Sequence, residues 1–142
     1  MDAQLQRRIQ RYGWDRAADA YVRHWHGPLA GVQGELLSMA APAPGESVLD
    51  VACGAGAVSI AAARAVGPAG RVLGVDLSEA MVQAATQRAC AMNLPQARFE
   101  RMDAEQLDVP DASVDVVLCA LGLMYVPDPD AALRELCRVL RP

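Results

Sequence analysis

Apolar and polar positions follow two different rhythms along the chain, and the change of rhythm divides it into two regions. Over residues 2–26 the apolar side chains recur at helical spacing, and Gly13 predicts a break between two helical pieces. A Gly-Pro pair ends this stretch, and a further helix is predicted over 29–41. A turn rich in Pro and Gly follows, so residues 1–46 are predicted to form an N-terminal helical cap region.

From residue 47 onward, short apolar runs alternate with helical segments, as in βαβ units. Crossovers between such strands are right-handed, and the result is a parallel sheet with helices on both faces. We therefore predict an α/β fold, a Rossmann-like doubly wound parallel sheet preceded by N-terminal helices. The predicted strands cover 47–51, 71–75, 97–102 and 113–118, and the predicted helices cover 56–66, 79–92 and 130–140.

Composition and charge argue against several classes of protein. Apolar residues make up 53% of the 142 residues, which suffices for a packed core and excludes wholesale disorder. The net charge of −4 argues against a nucleic-acid surface, where a basic stripe would be expected. No apolar run reaches about 18 residues, so no membrane span is predicted. The polar N-terminus also lacks the apolar segment of a signal peptide.

The cysteines indicate the cellular compartment and bear on metal binding. None of the four forms a CxxC pair, and with only two histidines in the chain no metal site is predicted. Without a secretion signal, these cysteines are typical of reduced thiols in a cytoplasmic protein. They are Cys53, Cys90, Cys119 and Cys137.

A glycine-rich turn follows the first predicted strand, in the stretch LDVACGAG over residues 49–56. Gly54 and Gly56 let the backbone adopt unusual dihedral angles and approach a ligand closely. The second strand leads to Asp76, twenty residues beyond Gly56, where a carboxylate can accept both hydroxyls of a ribose. The alternative for Asp76 is a charge favoured by the N-terminus of the following helix. As a dinucleotide fingerprint the turn fits poorly, because Ser59 stands at the third glycine position.

Four stretches resemble the motifs of class I S-adenosylmethionine-dependent methyltransferases, and they are most similar to the group that includes the ubiquinone/menaquinone-biosynthesis C-methyltransferases. They stand in the family's order and cover nearly everything from residue 47 onward. The resemblance implies S-adenosylmethionine as the cofactor and in-line transfer of its methyl group to a small-molecule acceptor. The stretches are VLDVACGAG (48–56), GVDLSEAMV (74–82), RMDAEQLDVPDASVDVVLCALGLMYVPD (101–128) and ALRELCRVLRP (132–142).

The resemblance also implies roles for individual residues at the cofactor. Around the methionine end and the transferred methyl group it implies Asp50, Ala52, Cys53, Gly54, Gly56 and Cys119. Around the nucleoside it implies Asp76 at the ribose, Leu77 and Met81 near the adenine, and Asp103 with the Ala104 amide at the adenine edge. Ala52 departs from the family pattern, which has glycine there.

Some of these residues have alternative interpretations. Leu77 and Met81 could equally be core residues, since they are separated by one helical turn. Asp103 could instead form a local Asx turn. Cys119 is more often a small buried apolar residue than a nucleophile, and we assign it no catalytic role.

The acceptor pocket is predicted in the N-terminal region and after the fourth strand. Tyr21, Trp25 and Tyr125 are its candidate lining residues, with packing as the alternative for each. His24 and His26 are candidate general bases, although surface or capping histidines are the more common interpretation. No catalytic residue is assigned.

The resemblance implies a sheet ordered 3-2-1-4-5-7-6, of which this sequence supplies the strands 3-2-1-4. Residues 47–142 are therefore predicted to form a partial S-adenosylmethionine-binding domain that lacks the C-terminal strands. The fourth strand would be an open apolar edge, so we expect the isolated chain either to form a homo-oligomer through that edge or to be poorly stable.

Two other functions stay open at this point. One is a non-catalytic, methyltransferase-like partner subunit. The other is a nicotinamide-dependent oxidoreductase, which the missing third glycine and the lack of a Tyr-x-x-x-Lys pair disfavour. The loop over 119–124 also lacks the Asn/Asp-Pro-Pro-Tyr motif of DNA amino-methyltransferases, so no nucleic-acid partner is predicted.

Overall fold

Two helices form the N-terminal region of the computed structural model, which describes residues 2–142. The first, α1 (Ala3–His24), runs through Gly13 without the predicted break. One glycine costs a helix only about 1 kcal/mol, and contacts of the flanking turns with the rest of the protein outweigh that cost. The second, α2 (His26–Ala40), begins three residues before its predicted start. Pro28 is accommodated in its first turn, where a backbone N–H has no helical acceptor.

The remaining chain forms a four-stranded parallel sheet in the order β3-β2-β1-β4, which confirms the predicted fold class and strand order. Its central strand β1 is buried along its whole length, as expected of a strand covered on both faces. The strands are β1 (Ser47–Val51), β2 (Arg71–Asp76), β3 (Ala97–Arg101) and β4 (Val116–Leu118).

Helices cover both faces of this sheet. Val48 of β1 packs in one apolar cluster with α3 and α2, whereas Leu49 and Val51 pack in a second cluster with α5. Ser78 caps the N-terminus of α4, and Asp128 caps α5 with its carboxylate 2.9 Å from the Ala131 amide. These helices are α3 (Ala57–Val66), α4 (Glu79–Ala91) and α5 (Pro129–Val139), and a short 3₁₀ helix (Leu123–Tyr125) precedes α5.

The fourth strand is shorter than its predicted range of 113–118. Asp115, just before the regular strand, keeps one backbone bond to β1, from its amide to the Ser47 carbonyl at 2.8 Å, and its carboxylate accepts a hydrogen bond from the Ser47 amide at 2.8 Å and pairs with Arg141. Val114 instead forms an isolated parallel bridge with Leu140. The outer edge of β4 is therefore covered at its start, and β4 itself remains the edge strand of the sheet in the part of the chain that is described.

No helix within residues 2–142 combines the length and the apolar character that a membrane span requires.

Candidate cofactor site

A cavity of about 460 Å³ lies at the carboxyl ends of the strands, and α1 forms one of its walls. Each strand contributes residues that lie at or just beyond its end, because parallel strands bring these ends to one edge of the sheet. Of the predicted cofactor residues, those lining the cavity are Ala52, Gly54, Asp76, Leu77, Met81, Asp103 and Ala104. All three predicted acceptor residues, Tyr21, Trp25 and Tyr125, line it too.

Four predicted cofactor residues lie outside this lining. Asp50 points into the buried interior of the sheet rather than into the cavity, and Gly56 packs inward against α4 and β3. Cys53 and Cys119 also lie behind the cavity surface, and burial raises the pKa of both thiols, well above the usual value for Cys53. Both sulfurs are therefore protonated at neutral pH, which makes them poor nucleophiles.

The glycine-rich turn has left-handed backbone geometry at three positions. Gly54 and Gly56 have φ of 52° and 80°, which glycine adopts without strain. Ala52 has φ of 55°, and this conformation costs an L-residue about 1–2 kcal/mol. This geometry explains why the family pattern has glycine at the position of Ala52.

Asp76 fixes the turn against the end of β2. Its two carboxylate oxygens accept hydrogen bonds from the Gly54 amide and the Ser78 amide, each at 2.9 Å. Burial raises the pKa of Asp76, and these two amides act in the opposite direction. Each oxygen keeps a lone pair free, so a carboxylate on the cavity wall can still accept hydroxyl groups from a ligand.

Asp50 is the buried acid beneath the turn. One of its oxygens accepts a hydrogen bond from the Ser59 hydroxyl at 2.5 Å, whereas Oδ1 has no hydrogen-bond partner. Burial raises the pKa of Asp50 to about 7, with a further contribution from the negative charge of Asp76. Ser59, which in the sequence appears only as a mismatch to the third glycine, is thus the partner of this acid.

Asp103 has both of the features that the sequence offered as alternatives. Its Oδ1 accepts a hydrogen bond from the Glu105 amide at 3.0 Å, which is an Asx turn. The residue also lines the cavity, where its Oδ2 lies 3.0 Å from Nε of Arg7. Sequence reasoning missed Arg7 and Gln10, because only the docking of α1 brings them to the cavity.

Aromatic rings cluster on one side of the cavity. The ring of Trp14 meets those of Tyr21 and Tyr125 edge to face, with centroid distances of 5.7 and 5.3 Å. Trp25 also lines the cavity but remains half exposed. His24 and His26 are exposed near the junction of α1 and α2 and do not line the cavity.

Groups of three or more His, Cys, Asp or Glu side chains that could hold a metal ion do not occur among residues 2–142. The cavity wall carries two carboxylates, those of Asp76 and Asp103, and the aromatic cluster.

Comparison with known proteins agrees with this architecture. A family model described as "Methyltransferase domain" matches residues 48–142. Demethylmenaquinone methyltransferase of Lactobacillus johnsonii is 39% identical over 99 residues, which cover 69% of this chain and 41% of that protein. Nocamycin O-methyltransferase of Saccharothrix syringae is 38% identical over 107 residues, which cover 75% of this chain and 38% of that protein.

A solved structure shows the same fold. The crystal structure of a SAM dependent methyltransferase from Aquifex aeolicus matches with a TM-score of 0.72 and 28% identity, over 78% of this chain and 58% of that one. The chain thus spans about two fifths of the length of the two curated relatives. The fold and the sequence matches agree, and the chain belongs to the class I S-adenosylmethionine-dependent methyltransferase family.

Proposed function

We propose that this chain forms the cofactor-binding part of a methyltransferase that acts on a small molecule with S-adenosylmethionine as methyl donor. The observation that carries the proposal is the position of Asp76. Its carboxylate lies on the cavity wall, bonded to the Gly54 amide of the glycine-rich turn and free to accept further donors. A carboxylate at the end of β2 is where adenosine cofactors place their ribose hydroxyls in folds of this type.

The residues present fit this cofactor. A cavity of about 460 Å³ falls within the usual range for cofactor sites. In this proposal Asp76 holds the ribose, Leu77 and Met81 face the adenine, and Asp103 with the Ala104 amide receives its edge. Ala52 and Gly54 line the methionine end.

Four residues behind the cavity surface, two of them buried and the two cysteines partly buried, support the turn and the strand ends. They are Asp50, Cys53, Gly56 and Cys119. Asp50 accepts a hydrogen bond from the Ser59 hydroxyl, which joins β1 to α3 beneath the turn.

S-adenosylmethionine supplies an electrophilic methyl group on its sulfonium, and the protein provides position and a dry environment. We propose that Tyr21, Trp25 and Tyr125 orient the acceptor next to the methionine end. The cavity lining is predominantly apolar around these rings, so it favours an apolar or aromatic acceptor. No general base is assigned, because neither histidine of the chain reaches the cavity.

Calorimetric titration with S-adenosylhomocysteine tests the proposal. We expect saturable binding, with affinity reduced about tenfold to a hundredfold in Asp76→Ala, because hydrogen bonds to a charged group are lost. Asp108→Ala is the matched control, since Asp108 is an exposed loop carboxylate outside the cavity. Tighter binding of NADH than of S-adenosylhomocysteine would instead support the oxidoreductase alternative. Unchanged binding in Asp76→Ala would contradict the site.

We also propose that copies of the chain associate through the outer edge of β4. Within the described residues this edge is bridged only at Val114 and Leu140, and an unpaired strand edge can accept another strand. Multi-angle light scattering should therefore show a dimer or a larger species at micromolar concentration. A monodisperse monomer would contradict this association.

A cytoplasmic location is part of the proposal as well. It is supported by the four cysteines, which are all free, as expected in a reducing compartment. Cell fractionation tests it, and recovery of the protein outside the cytoplasmic fraction would contradict it.

A further inference from the structure

Helix α1 is fastened across the cavity at two points. At one point, Oδ1 of Asp15 accepts hydrogen bonds from the Ser78 hydroxyl at 2.7 Å and from the Ala80 amide at 3.2 Å. At the other point, Arg7 forms ion pairs with Asp103 and Glu105, which follow β3. The two anchors lie about 12 Å apart along the helix, since each residue advances the helix by about 1.5 Å. The cavity-lining side chain of Trp14 lies in the segment between them.

Arg7 is linked through Glu105 to two other parts of the cavity wall, the segment after β3 and the loop before α5. The Glu105 side chain that pairs with Arg7 is only 6% exposed, so the contact is shielded from solvent on that side. The same carboxylate accepts a hydrogen bond from the Asp128 amide at 3.1 Å. Because Asp128 caps α5, the connection runs from α1 through the segment after β3 to the loop that carries Tyr125.

Arg7 also sets the orientation of Asp103. The Glu105 amide donates a hydrogen bond to Oδ1, and the charged guanidinium of Arg7, itself part of the cavity wall, lies 3.0 Å from Oδ2, so both oxygens are held by neighbouring protein groups. Each oxygen retains a lone pair, and the carboxylate lies in the cavity lining. The fixed carboxylate is therefore an acceptor prepared in advance for a donor inside the cavity, which reduces the entropy lost when a ligand binds.

We propose that Arg7 is a positioning residue of the cofactor site: it orients the Asp103 carboxylate toward the amino group of the base and holds α1 closed over the bound nucleoside. The inference rests on the proposed function, because it takes Asp103 as the acceptor for adenine. Arginine suits this position, since its planar fork can contact two carboxylates at once, whereas a lysine offers a single point charge.

Calorimetric titration of Arg7→Met with two ligands tests this inference. The ligands are S-adenosylhomocysteine and its inosine analogue, which carries a carbonyl where adenine carries the amino group. We expect Arg7→Met to lower the affinity for S-adenosylhomocysteine about fivefold to tenfold. This effect is smaller than that of a fully buried charged contact, because Arg7 is partly exposed to solvent. The affinity for the inosine analogue should change less, so the preference for adenine should fall. If Arg7 only stabilised the fold, the substitution would lower the affinity for both ligands equally.

The matched control is Arg8→Met, because Arg8 is exposed on the same helical turn, outside the cavity. It should bind both ligands as the wild type does. A second measurement is tryptic cleavage of α1 at Arg11 and Arg16. S-adenosylhomocysteine should protect these sites in the wild type and in Arg8→Met, and much less in Arg7→Met. Arg7→Lys should be intermediate in both measurements, which keeps the inference testable if Arg7→Met folds poorly.

The outcomes separate the inference from the proposed function. If the wild type binds S-adenosylhomocysteine and Arg7→Met binds it equally well or more tightly, Arg7 does not position Asp103 and the inference fails alone. The inference also fails if Arg7→Met loses affinity for both ligands equally. If the folded wild type binds neither ligand, the proposed function fails and this inference fails with it.

Discussion

Replacing Gly56 with alanine should destabilise the protein strongly, although the change adds a single methyl group. The residue has φ of 80°, where an L-residue is strained by about 1–2 kcal/mol. The new Cβ would also lie 2.9 Å from Cβ of Ala85 and 3.1 Å from the ring of Phe99. Ala85 belongs to α4 and is fully buried, so it cannot move aside at low cost, whereas Phe99 belongs to β3 and is partly buried.

The two contributions set the expected magnitude. Overpacking of a well-packed core typically costs about 1–3 kcal/mol, so together with the backbone strain the loss is about 2–5 kcal/mol. That is a large share of the roughly 5–15 kcal/mol that stabilises a typical domain. Urea unfolding followed by far-ultraviolet circular dichroism should therefore show a midpoint lower by at least about 1 M, given the usual denaturant sensitivity of small proteins.

Gly13→Ala is the matched control for this prediction. Gly13 lies within α1, and a Cβ there would meet no other atom within 4 Å. Alanine is the better helix former, so this variant should be more stable than the wild type by about 0.5–1 kcal/mol. The reasoning is refuted if Gly56→Ala unfolds within about 0.5 kcal/mol of the wild type.

Two further predictions concern the buried acid and the aromatic cluster. Asp50 has a pKa of about 7 when folded, above its usual value of 3.8, so its contribution to stability is present at low pH and is lost as the pH rises from about 4 to 7. Asp50→Asn should remove this loss. The free energy of unfolding of the variant, relative to that of the wild type, should therefore be up to about 4 kcal/mol higher at pH 8 than at pH 4, as measured by urea unfolding at both pH values. A difference between the two proteins that does not change with pH would contradict the assignment. Each single Trp→Phe variant reports on the one tryptophan that it keeps. Because Trp14 lies in the cavity wall and Trp25 is half exposed, binding of S-adenosylhomocysteine should change the fluorescence of Trp25→Phe, which keeps Trp14, more than that of Trp14→Phe. The opposite order would place the ligand elsewhere.

The alternation of strands and helices could be predicted because each element carries its own local signal. The strand over 47–51 has the observed bounds, since three of its five residues are apolar and the turn signals on both sides mark its ends. The break at Gly13 was wrong because the weak helix propensity of one residue is overridden by the packing of α1. The late start of β4, at Val116 rather than at residue 113, coincides with contacts of Asp115 to Ser47 and Arg141, which are distant in sequence.

In the candidate site, too, features set by local sequence could be predicted, whereas contacts between distant segments could not. The position of Asp76 and Asp103 on one edge follows from strand ends alone, and the structure places both residues in the cavity lining. The contact of Arg7 with Asp103 could not be predicted, because a helix of 22 residues gives no local signal of where it docks. The pairing of Asp50 with Ser59 was also missed, since the comparison with a dinucleotide motif considered only whether Ser59 was a glycine.

The two anchors of α1 have a consequence for the order in which the protein folds. Ser47 and Arg71, which join β1 and β2, are 24 residues apart, whereas Asp15 and Ser78 are 63 apart and Arg7 and Glu105 are 98 apart. Closing a longer loop costs more chain entropy, so we expect the sheet to assemble first and α1 to dock late. The cavity gains its α1 wall only in that last step. Substitutions at the anchors should therefore mainly accelerate unfolding, because contacts formed after the transition state act on that rate.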